Sequence, residues 1–144
     1  ELIKIFDWTS LKSRSSSPKE IAAVSMRPWD RFFWWIEMDA PPQRTMVLPG
    51  NWPPARFGQP FTLSAKATAS NRITARCGAE EVRIWLSPEF IDFQRPLTIN
   101  LGTRRLHQGE IEPDVDILLE DLRSRCDYQH PYWAVVTKNP SGEK

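Results

Sequence analysis

Apolar and polar residues alternate with a period of two along most of the chain after residue 20. The stretch FTLSAKATA is the clearest case, because its apolar residues fall on one side of an extended chain and its polar residues on the other. Alternation of this kind predicts strands with one buried face. Eight strands are predicted on this basis: residues 21–26, 31–40, 61–69, 72–77, 81–87, 97–102, 105–111 and 132–138.

The stretch RFFWWIEMDA, residues 31–40, is predicted as one unbroken strand that ends before two prolines. Its odd positions carry charges at both ends with Phe33 and Trp35 between them, which predicts that these two rings lie on an outer face. Its even positions are uniformly apolar and are predicted to face the core: Phe32, Trp34, Ile36, Met38 and Ala40.

A second aromatic surface is predicted from the tryptophans of other strands. Trp85 points away from the inward residues of its strand, and Trp133 lies opposite Tyr132 and Ala134. If these strands are neighbours, Phe33, Trp35, Trp85 and Trp133 form one outer aromatic face. Three alternatives remain for what packs on this aromatic face: the chain's own helix and its proline-rich loop at 43–60, a neighbouring domain or subunit, or a carbohydrate that stacks on the rings.

Two helices are predicted. In PDVDILLEDLRSRC, about residues 114–126, apolar residues recur at helical spacing, with Asp114 as the N-cap. The remaining charges of that helix, EDLRSR, are interpreted as a solvated face. An N-terminal helix over residues 1–13 is followed by the polar break RSSSPKE. In the helix at about 114–126, the apolar stripe that is predicted to be buried consists of Val115, Leu118, Leu119, Leu122 and Cys126.

These elements predict a mainly β protein: a β-sandwich-like domain of about eight short strands with one capping helix and an N-terminal helix. Residues 1–18 are interpreted as a helix and linker from the end of a preceding domain, 19–139 as the sandwich domain, and 140–144 as a disordered tail.

Composition narrows the classes of partner. The net charge of +1 indicates no general attraction to nucleic acid or to anionic membrane surfaces. The sequence contains no run of 18 apolar residues, so no membrane span is predicted. The two cysteines, Cys77 and Cys126, are too few for a metal framework and are predicted to be buried free thiols, with a disulfide between them as the alternative. No cofactor or metal is predicted.

No sequence motif of a catalytic site is present. The chain has no G-x-S-x-G, H-E-x-x-H or C-x-x-C motif and no phosphate-binding glycine loop. His107 is interpreted as a solvated surface histidine, and His130 as a hydrogen-bonding residue of the turn before Pro131. Asp92, near Glu89 in a corner, is interpreted as a turn cap. A triad of His130, Asp92 and a serine stays open as a minor alternative.

Three stretches together resemble a known type of domain: RPWDRFFWWIEMD, VRIWLSPEFIDFQRPLTINL and EIEPDVDILLEDLRSRCDYQHPYWAVV. They are similar to the C-terminal β-rich domain of bacterial α/β-hydrolase-type proteins, esterases and prolyl-oligopeptidase-like peptidases. The resemblance implies structural roles for Asp92 in its corner, for the LLEDLRSR helix and for the HPYWA entry to the last strand. In that family the catalytic serine and its partners lie upstream, so the resemblance implies no catalytic residue here.

Two departures from that family stand out. The family tends to have Asn-Gly at the hairpin where this chain has Leu101-Gly102-Thr103, and a glycine after the helix where this chain has Cys126. The second departure removes the residue that most easily takes the left-handed conformation of a helix C-cap.

Two functional hypotheses follow from different classes. The first is a non-catalytic accessory domain of a bacterial hydrolase that packs against the upstream catalytic domain or another subunit. The resemblance implies a serine hydrolase as the parent protein. The second is a carbohydrate- or ligand-binding module that uses the exposed aromatic face.

Overall fold

The computed structural model describes residues 9, 15, 17–27, 29–39 and 60–138. The predicted N-terminal helix, apart from Thr9, lies outside the described residues. The predicted loop at 43–60, apart from Pro60, and the predicted tail at 140–144 lie outside them as well.

The described part of the chain is mainly β, with nine strands and one helix, which confirms the predicted fold class. The strands form two sheets, and a single hydrophobic core contains residues from both of them. The five-stranded sheet has the order β1-β4-β5-β7-β8, and the four-stranded sheet has the order β2-β3-β6-β9. The five-stranded sheet comprises β1 (Glu20–Ser25), β4 (Phe61–Thr68), β5 (Arg72–Arg76), β7 (Leu97–Leu101) and β8 (Arg104–Gly109). The four-stranded sheet comprises β2 (Phe32–Phe33), β3 (Ile36–Asp39), β6 (Glu81–Leu86) and β9 (Ala134–Lys138).

The hairpin of β4 and β5 follows its sequence pattern residue by residue. Every second residue of β4 from Phe61 is buried and the residues between are exposed or half-buried, and β5 alternates in the same way around Ile73 and Ala75. Asn71, in the turn, has a left-handed φ of 54°, a conformation that asparagine takes more readily than most residues.

β5 continues the five-stranded sheet by a parallel pairing with β7, whereas every other strand pair is antiparallel among the described residues. The strand between them in the chain, β6, belongs to the opposite sheet. The chain therefore crosses from one sheet to the other and back between β5 and β7.

The aromatic stretch is not one strand, and this prediction was wrong. β2 and β3 form a hairpin in which Phe33 pairs with Ile36, and Trp34 and Trp35 make its two-residue turn. Trp34 has a φ of 53°, which is uncommon for a bulky side chain. Because residues that pair directly across two strands face the same side, Phe33 shares the core side of Ile36.

The turn reverses which positions of β2 face the core. Phe32, predicted to be buried, is 44% exposed, and Trp35, predicted to lie on an outer face, is fully buried. Trp34 is half-buried. In β3 the predicted alternation holds, since Ile36 and Met38 are buried.

The helix, α1 (Val115–Arg125), begins at the predicted N-cap, because Asp114 Oδ1 accepts the backbone N–H of Asp116 at 2.8 Å. The predicted buried stripe was wrong for three of its members: Val115 and Leu119 are 66% and 58% exposed, and Cys126 is exposed. The residue of α1 that is buried is Asp121, at 2% exposure.

Both cysteines are free. Cys77 is half-buried with its Sγ 3.5 Å from Met38 Sδ, and burial raises the pKa of its thiol. Cys126 is the C-cap of α1 with a φ of 54°, so it takes the left-handed conformation without a glycine.

Candidate functional site

Three aromatic rings follow one another at the four-stranded sheet, and we call them the aromatic row: Phe32, Trp85 and Tyr132. The ring centroids of Phe32 and Trp85 are 6.3 Å apart, and those of Trp85 and Tyr132 are 5.8 Å apart. The planes are tilted by 42° and 40°. These distances lie in the range at which aromatic rings attract each other, but the tilts do not make a flat platform.

A charged row lies beside these rings, because Phe32 pairs with Glu37 across the hairpin and Glu37 pairs with Arg83 on β6. Arg83 is its centre: the guanidinium is 3.1 Å from Glu37 Oε1, 2.9 Å from Glu81 Oε1 and 3.6 Å from Asp39 Oδ2. Arg31 Nη1 donates to Asp39 Oδ1 at 3.1 Å. Every member of this row has an ion-pair partner: Arg31, Glu37, Asp39, Glu81 and Arg83.

Glu37 joins the two rows. Its Oε2 accepts the indole N–H of Trp85 at 2.9 Å, while its Oε1 accepts from Arg83. Both carboxylate oxygens of Glu37 and the single polar atom of Trp85 are therefore engaged within the domain. Trp85 lies half-buried on the outer face, as predicted, but its hydrogen-bonding group is not left for a ligand.

The Tyr132 end of the aromatic row is closed by α1. Tyr132 is 5% exposed, its hydroxyl donates to the carbonyl of Trp34 at 2.9 Å, and the Arg125 guanidinium lies 4.2 Å from the ring centroid. Burial raises the pKa of Tyr132 to about 12. This end of the row is part of the folded interior.

Asp121 holds that closure in place. Its carboxylate binds Arg125 through both oxygens, at 2.5 and 2.7 Å, and also accepts the backbone N–H of Tyr132 at 2.9 Å. Sequence interpretation placed Asp121 and Arg125 on a solvated helix face, and the burial of Asp121 corrects it. Their i,i+4 spacing was the one signal in the sequence that could have indicated the pair.

The Phe32 end of the row is open. Besides Phe32, Trp29 is 56% exposed and Val24 is 68% exposed, so three large apolar side chains within nine residues reach solvent. Sequence analysis assigned no site role to any of them. The signal that could have indicated the exposure of Trp29 is its place between two predicted strands, outside both alternating patterns.

Trp35 does not belong to this face. Its ring stacks on Phe90 with centroids 5.1 Å apart and an angle of 26°, and its indole N–H donates to the carbonyl of Pro18 at 2.8 Å. Phe33 packs against the core. Of the four rings predicted to form one surface, only Trp85 is in the aromatic row.

Trp133 lies at a different place, against Phe93 with ring centroids 5.7 Å apart. Its carbonyl accepts the backbone N–H of Asp114, which ties β9 to the start of α1. A small groove of about 180 Å³ is lined there by Pro113, Asp114, Val115, Leu118 and Trp133. The predicted four-ring surface is thus divided between separate locations.

The polar residues that were predicted as structural make local contacts. Asp92 Oδ1 accepts the backbone N–H of Gln94 at 2.9 Å, which is a turn cap. Asn71, whose side chain was not singled out, is buried and binds the corner directly: its Oδ1 accepts from Asp92 N, and its Nδ2 donates to the carbonyls of Asp92 and Arg95.

His130 pairs with Glu89 and not with Asp92. The minor alternative, a triad of His130, Asp92 and a serine, therefore named the wrong carboxylate. His130 Nδ1 lies 2.5 Å from Glu89 Oε1, and the hydrogen bond that the imidazole donates to Glu89 raises the pKa of His130. Hydrogen bonding by the side chains of Ser17 and His130 lowers the pKa of the Glu89 carboxyl.

The described residues contain neither a cluster of metal-binding side chains nor a helix that could span a membrane. No group of three or more His, Cys, Asp and Glu side chains among them is arranged to hold a metal ion. In the same part of the chain, no helix has the length and apolar character needed to cross a membrane.

Comparisons with known proteins give no relative: no protein-family model, no curated protein and no solved structure matches this chain. The site is therefore interpreted from its own contacts.

Proposed function

We propose that this chain is a non-catalytic interaction domain that docks a protein partner through the open, Phe32 end of the aromatic row. The observation that supports it most is the exposure of Phe32 and Trp29, at 44% and 56%, beside a sheet face whose polar groups are already paired. Exposed aromatic side chains that are grouped in this way are typical of interfaces, where they supply most of the binding energy.

The loop that carries Trp29 is held in shape before any partner binds. Asp30 Oδ2 accepts from the Ser25 hydroxyl at 2.5 Å and from Arg27 Nε at 3.0 Å. The Ser25 hydroxyl also accepts the backbone N–H of Arg27 at 3.1 Å. A loop fixed by its own hydrogen bonds loses little conformational entropy on binding, which favours affinity.

The chemistry around the rings favours an apolar protein surface as the occupant. The charged row next to Phe32 is neutralised by its own ion pairs, so it provides a polar rim and not an attraction for a charged ligand. A sugar-binding surface of several rings is a flat platform with free hydrogen-bonding groups beside it. Here the ring planes are tilted relative to one another, and both Glu37 and the Trp85 indole are already hydrogen-bonded within the domain.

The identity of the partner rests on the resemblance alone. That resemblance makes a catalytic hydrolase domain upstream in the same protein, or another subunit of its assembly, the partner to test first.

Site-specific photo-crosslinking tests this proposal. A photoreactive amino acid is placed at position 29 or, as the matched control, at position 115, because Val115 is an equally exposed apolar residue on the helix. The protein crosslinked from position 29 is then purified and its affinity measured for the unmodified domain and for the Trp29→Ser, Phe32→Ser and Val115→Ser variants. We expect a loss of affinity of roughly 30-fold for the first two and no change for the third.

Equal affinities of all three variants would contradict the proposal. So would a saturable change of tryptophan fluorescence with one member of a polysaccharide panel that disappears in Phe32→Ser, since this supports the carbohydrate-binding alternative instead.

A further inference from the structure

The outer face of the five-stranded sheet carries cations in a regular arrangement on β4 and β5. The buried residues of these two strands pair with one another, so the residues between them point to solvent. In register, the outward pairs are Ser64 with Arg76, Lys66 with Thr74, and Thr68 with Arg72. Each cation on these two strands therefore lies opposite a hydroxyl.

Lys66 and Arg76 line an open depression of about 300 Å³ in this face, together with the short side chains of Ala22, Ser64 and Thr74. Both hydroxyls are exposed, and within the described part of the chain neither of them makes a side-chain hydrogen bond. Among the same residues Arg76 has no ion-pair partner. The depression thus offers two cations and two hydroxyls, all of which can donate hydrogen bonds to an anion.

Glu20 is the acidic residue that shares this face. It lies on β1 opposite Lys66, and its Oε2 is 3.0 Å from Lys66 Nζ. The two side chains are 71% and 60% exposed, and an ion pair that is so exposed contributes little to stability. Another carboxylate can therefore replace Glu20 as the partner of Lys66 at little cost to the fold.

The cations repeat at the spacing of an extended peptide. Measured along the strands, Arg76, Lys66 and Arg72 follow one another at steps of two residues, about 6.5–7 Å each. The side chains on one side of an extended peptide recur at the same interval. A peptide that has a carboxylate at every second position can therefore meet each cation in turn.

We propose that the outer face of β4 and β5 binds an extended acidic segment of a partner protein, with Asp or Glu at every second position. Lys66, Arg72 and Arg76 bind the carboxylates, and the hydroxyls of Ser64 and Thr74 donate hydrogen bonds to them. The surface belongs to the five-stranded sheet, whereas the aromatic row lies at the four-stranded one. This inference therefore does not depend on docking at Phe32.

Two features of the face favour a protein segment over other polyanions. Single-stranded nucleic acid is bound by aromatic rings that stack on its bases, and none of the outward residues of β1, β4 and β5 is aromatic. Anionic membranes attract clusters of about four to eight cations. The outward residues of these strands include three cations and the carboxylate of Glu20.

NMR titration of the ¹⁵N-labelled domain at low salt tests the proposal with two synthetic peptides of the same composition. Glutamate and threonine alternate in the first peptide, and all glutamates precede the threonines in the second. We expect the alternating peptide to shift amide signals of β4 and β5. Its Kd should be roughly three- to tenfold lower than that of the second peptide, the difference for one or two exposed ion pairs.

Three variants locate the binding site. Arg76→Gln should weaken binding of the alternating peptide about two- to fivefold, the range for one exposed ion pair. Arg31→Gln is the matched control, because Arg31 is 64% exposed and ion-paired to a residue of the other sheet, and it should leave the Kd unchanged. Glu20→Gln should tighten binding by about twofold or more, because Lys66 then has no competing carboxylate.

Absence of binding by the alternating peptide would overturn the proposal, and so would equal affinities for the two peptides. Equal losses in Arg76→Gln and Arg31→Gln would also overturn it. The occupant would be wrong if a single-stranded oligonucleotide, or a vesicle of phosphatidylserine and phosphatidylcholine, bound more tightly than the alternating peptide and shifted the same residues.

Discussion

The two ends of the aromatic row differ in what covers them. Tyr132 is buried under Arg125, with its hydroxyl and its backbone N–H both bound inside the domain. Phe32, two rings away, is 44% exposed and neighbours a loop with an exposed tryptophan. Trp85 lies between them and contacts both.

The difference separates a covered end of the row from an end that reaches solvent, where we propose that a partner docks. The chain's own helix covers the Tyr132 end, where Arg125, paired with the buried Asp121, lies over the ring. At the Phe32 end the described residues leave the rings in contact with solvent. Substitutions at the closed end should therefore change stability, and substitutions at the open end should change partner binding.

The largest expected effect is at the closed end. Asp121→Ala removes the carboxylate that binds Arg125 through both oxygens and that accepts the Tyr132 N–H. It leaves the Arg125 guanidinium, 26% exposed, with only the carbonyl of His130 and the Asp127 carboxylate at 3.6 Å. We expect a loss of about 3 kcal/mol in the free energy of unfolding, measured by urea denaturation.

Two controls sharpen this comparison. Glu120→Ala changes the neighbouring, exposed carboxylate of the same helix and should leave the urea midpoint unchanged. Phe32→Ala changes the open end and should lower stability by about 1 kcal/mol or less. Equal losses for Asp121→Ala and Phe32→Ala would remove the distinction between the two ends.

A pH-dependent effect of intermediate size should arise from Tyr132. Its pKa is about 12 in the folded protein and close to 10 when unfolded, so the folded state keeps the phenol proton that the unfolded state loses. Stability should fall as the pH rises from 10 to 12, by about 2–3 kcal/mol in all. Urea denaturation across this range should show the fall in the unmodified domain.

Variants of the two tyrosines identify the source of that fall. Tyr132→Phe has no phenol proton at the closed end and should lose this part of the pH dependence. Tyr128→Phe, at a residue that is 76% exposed, should retain it. The assignment to Tyr132 is wrong if the two variants behave alike.

The smallest expected effect concerns the end of the helix that covers Tyr132. Cys126 is exposed in a left-handed conformation, so Cys126→Gly should relieve strain and raise stability by about 0.5–1 kcal/mol, measured by thermal denaturation. Asn71→Gly is the matched contrast, because Asn71 has the same φ but its side chain binds Asp92 and Arg95. It should destabilise the domain. Stabilisation by both would mean that the Asn71 hydrogen bonds contribute little.

The fold class could be predicted from the sequence because most strands of the sandwich have one buried face. In β4, β6 and β7 the buried residues are those that the alternation indicates, starting with Phe61, Val82 and Leu97. The N-cap at Asp114 could be predicted because capping depends on a single side chain and the backbone next to it.

The aromatic hairpin could not be predicted from alternation. A two-residue turn makes Phe33 and Ile36 face the same side, so every assignment before the turn is reversed, and Trp34-Trp35 has none of the glycine or asparagine that normally marks such a turn. The buried face of α1 was missed for another reason. The buried face is the one that carries Asp121, which accepts the backbone N–H of Tyr132, 11 residues further along the chain. No local sequence pattern contains that contact.

The parallel pairing of β5 with β7 has a consequence for how the domain assembles. Since β6 leaves for the opposite sheet between these two strands, the five-stranded sheet cannot be completed until the chain has passed through the four-stranded one. Completing both sheets therefore requires contacts between residues far apart in sequence, and we expect the domain to fold slowly relative to helical proteins of this size. We also expect the two sheets to unfold as one cooperative unit and not as separable layers.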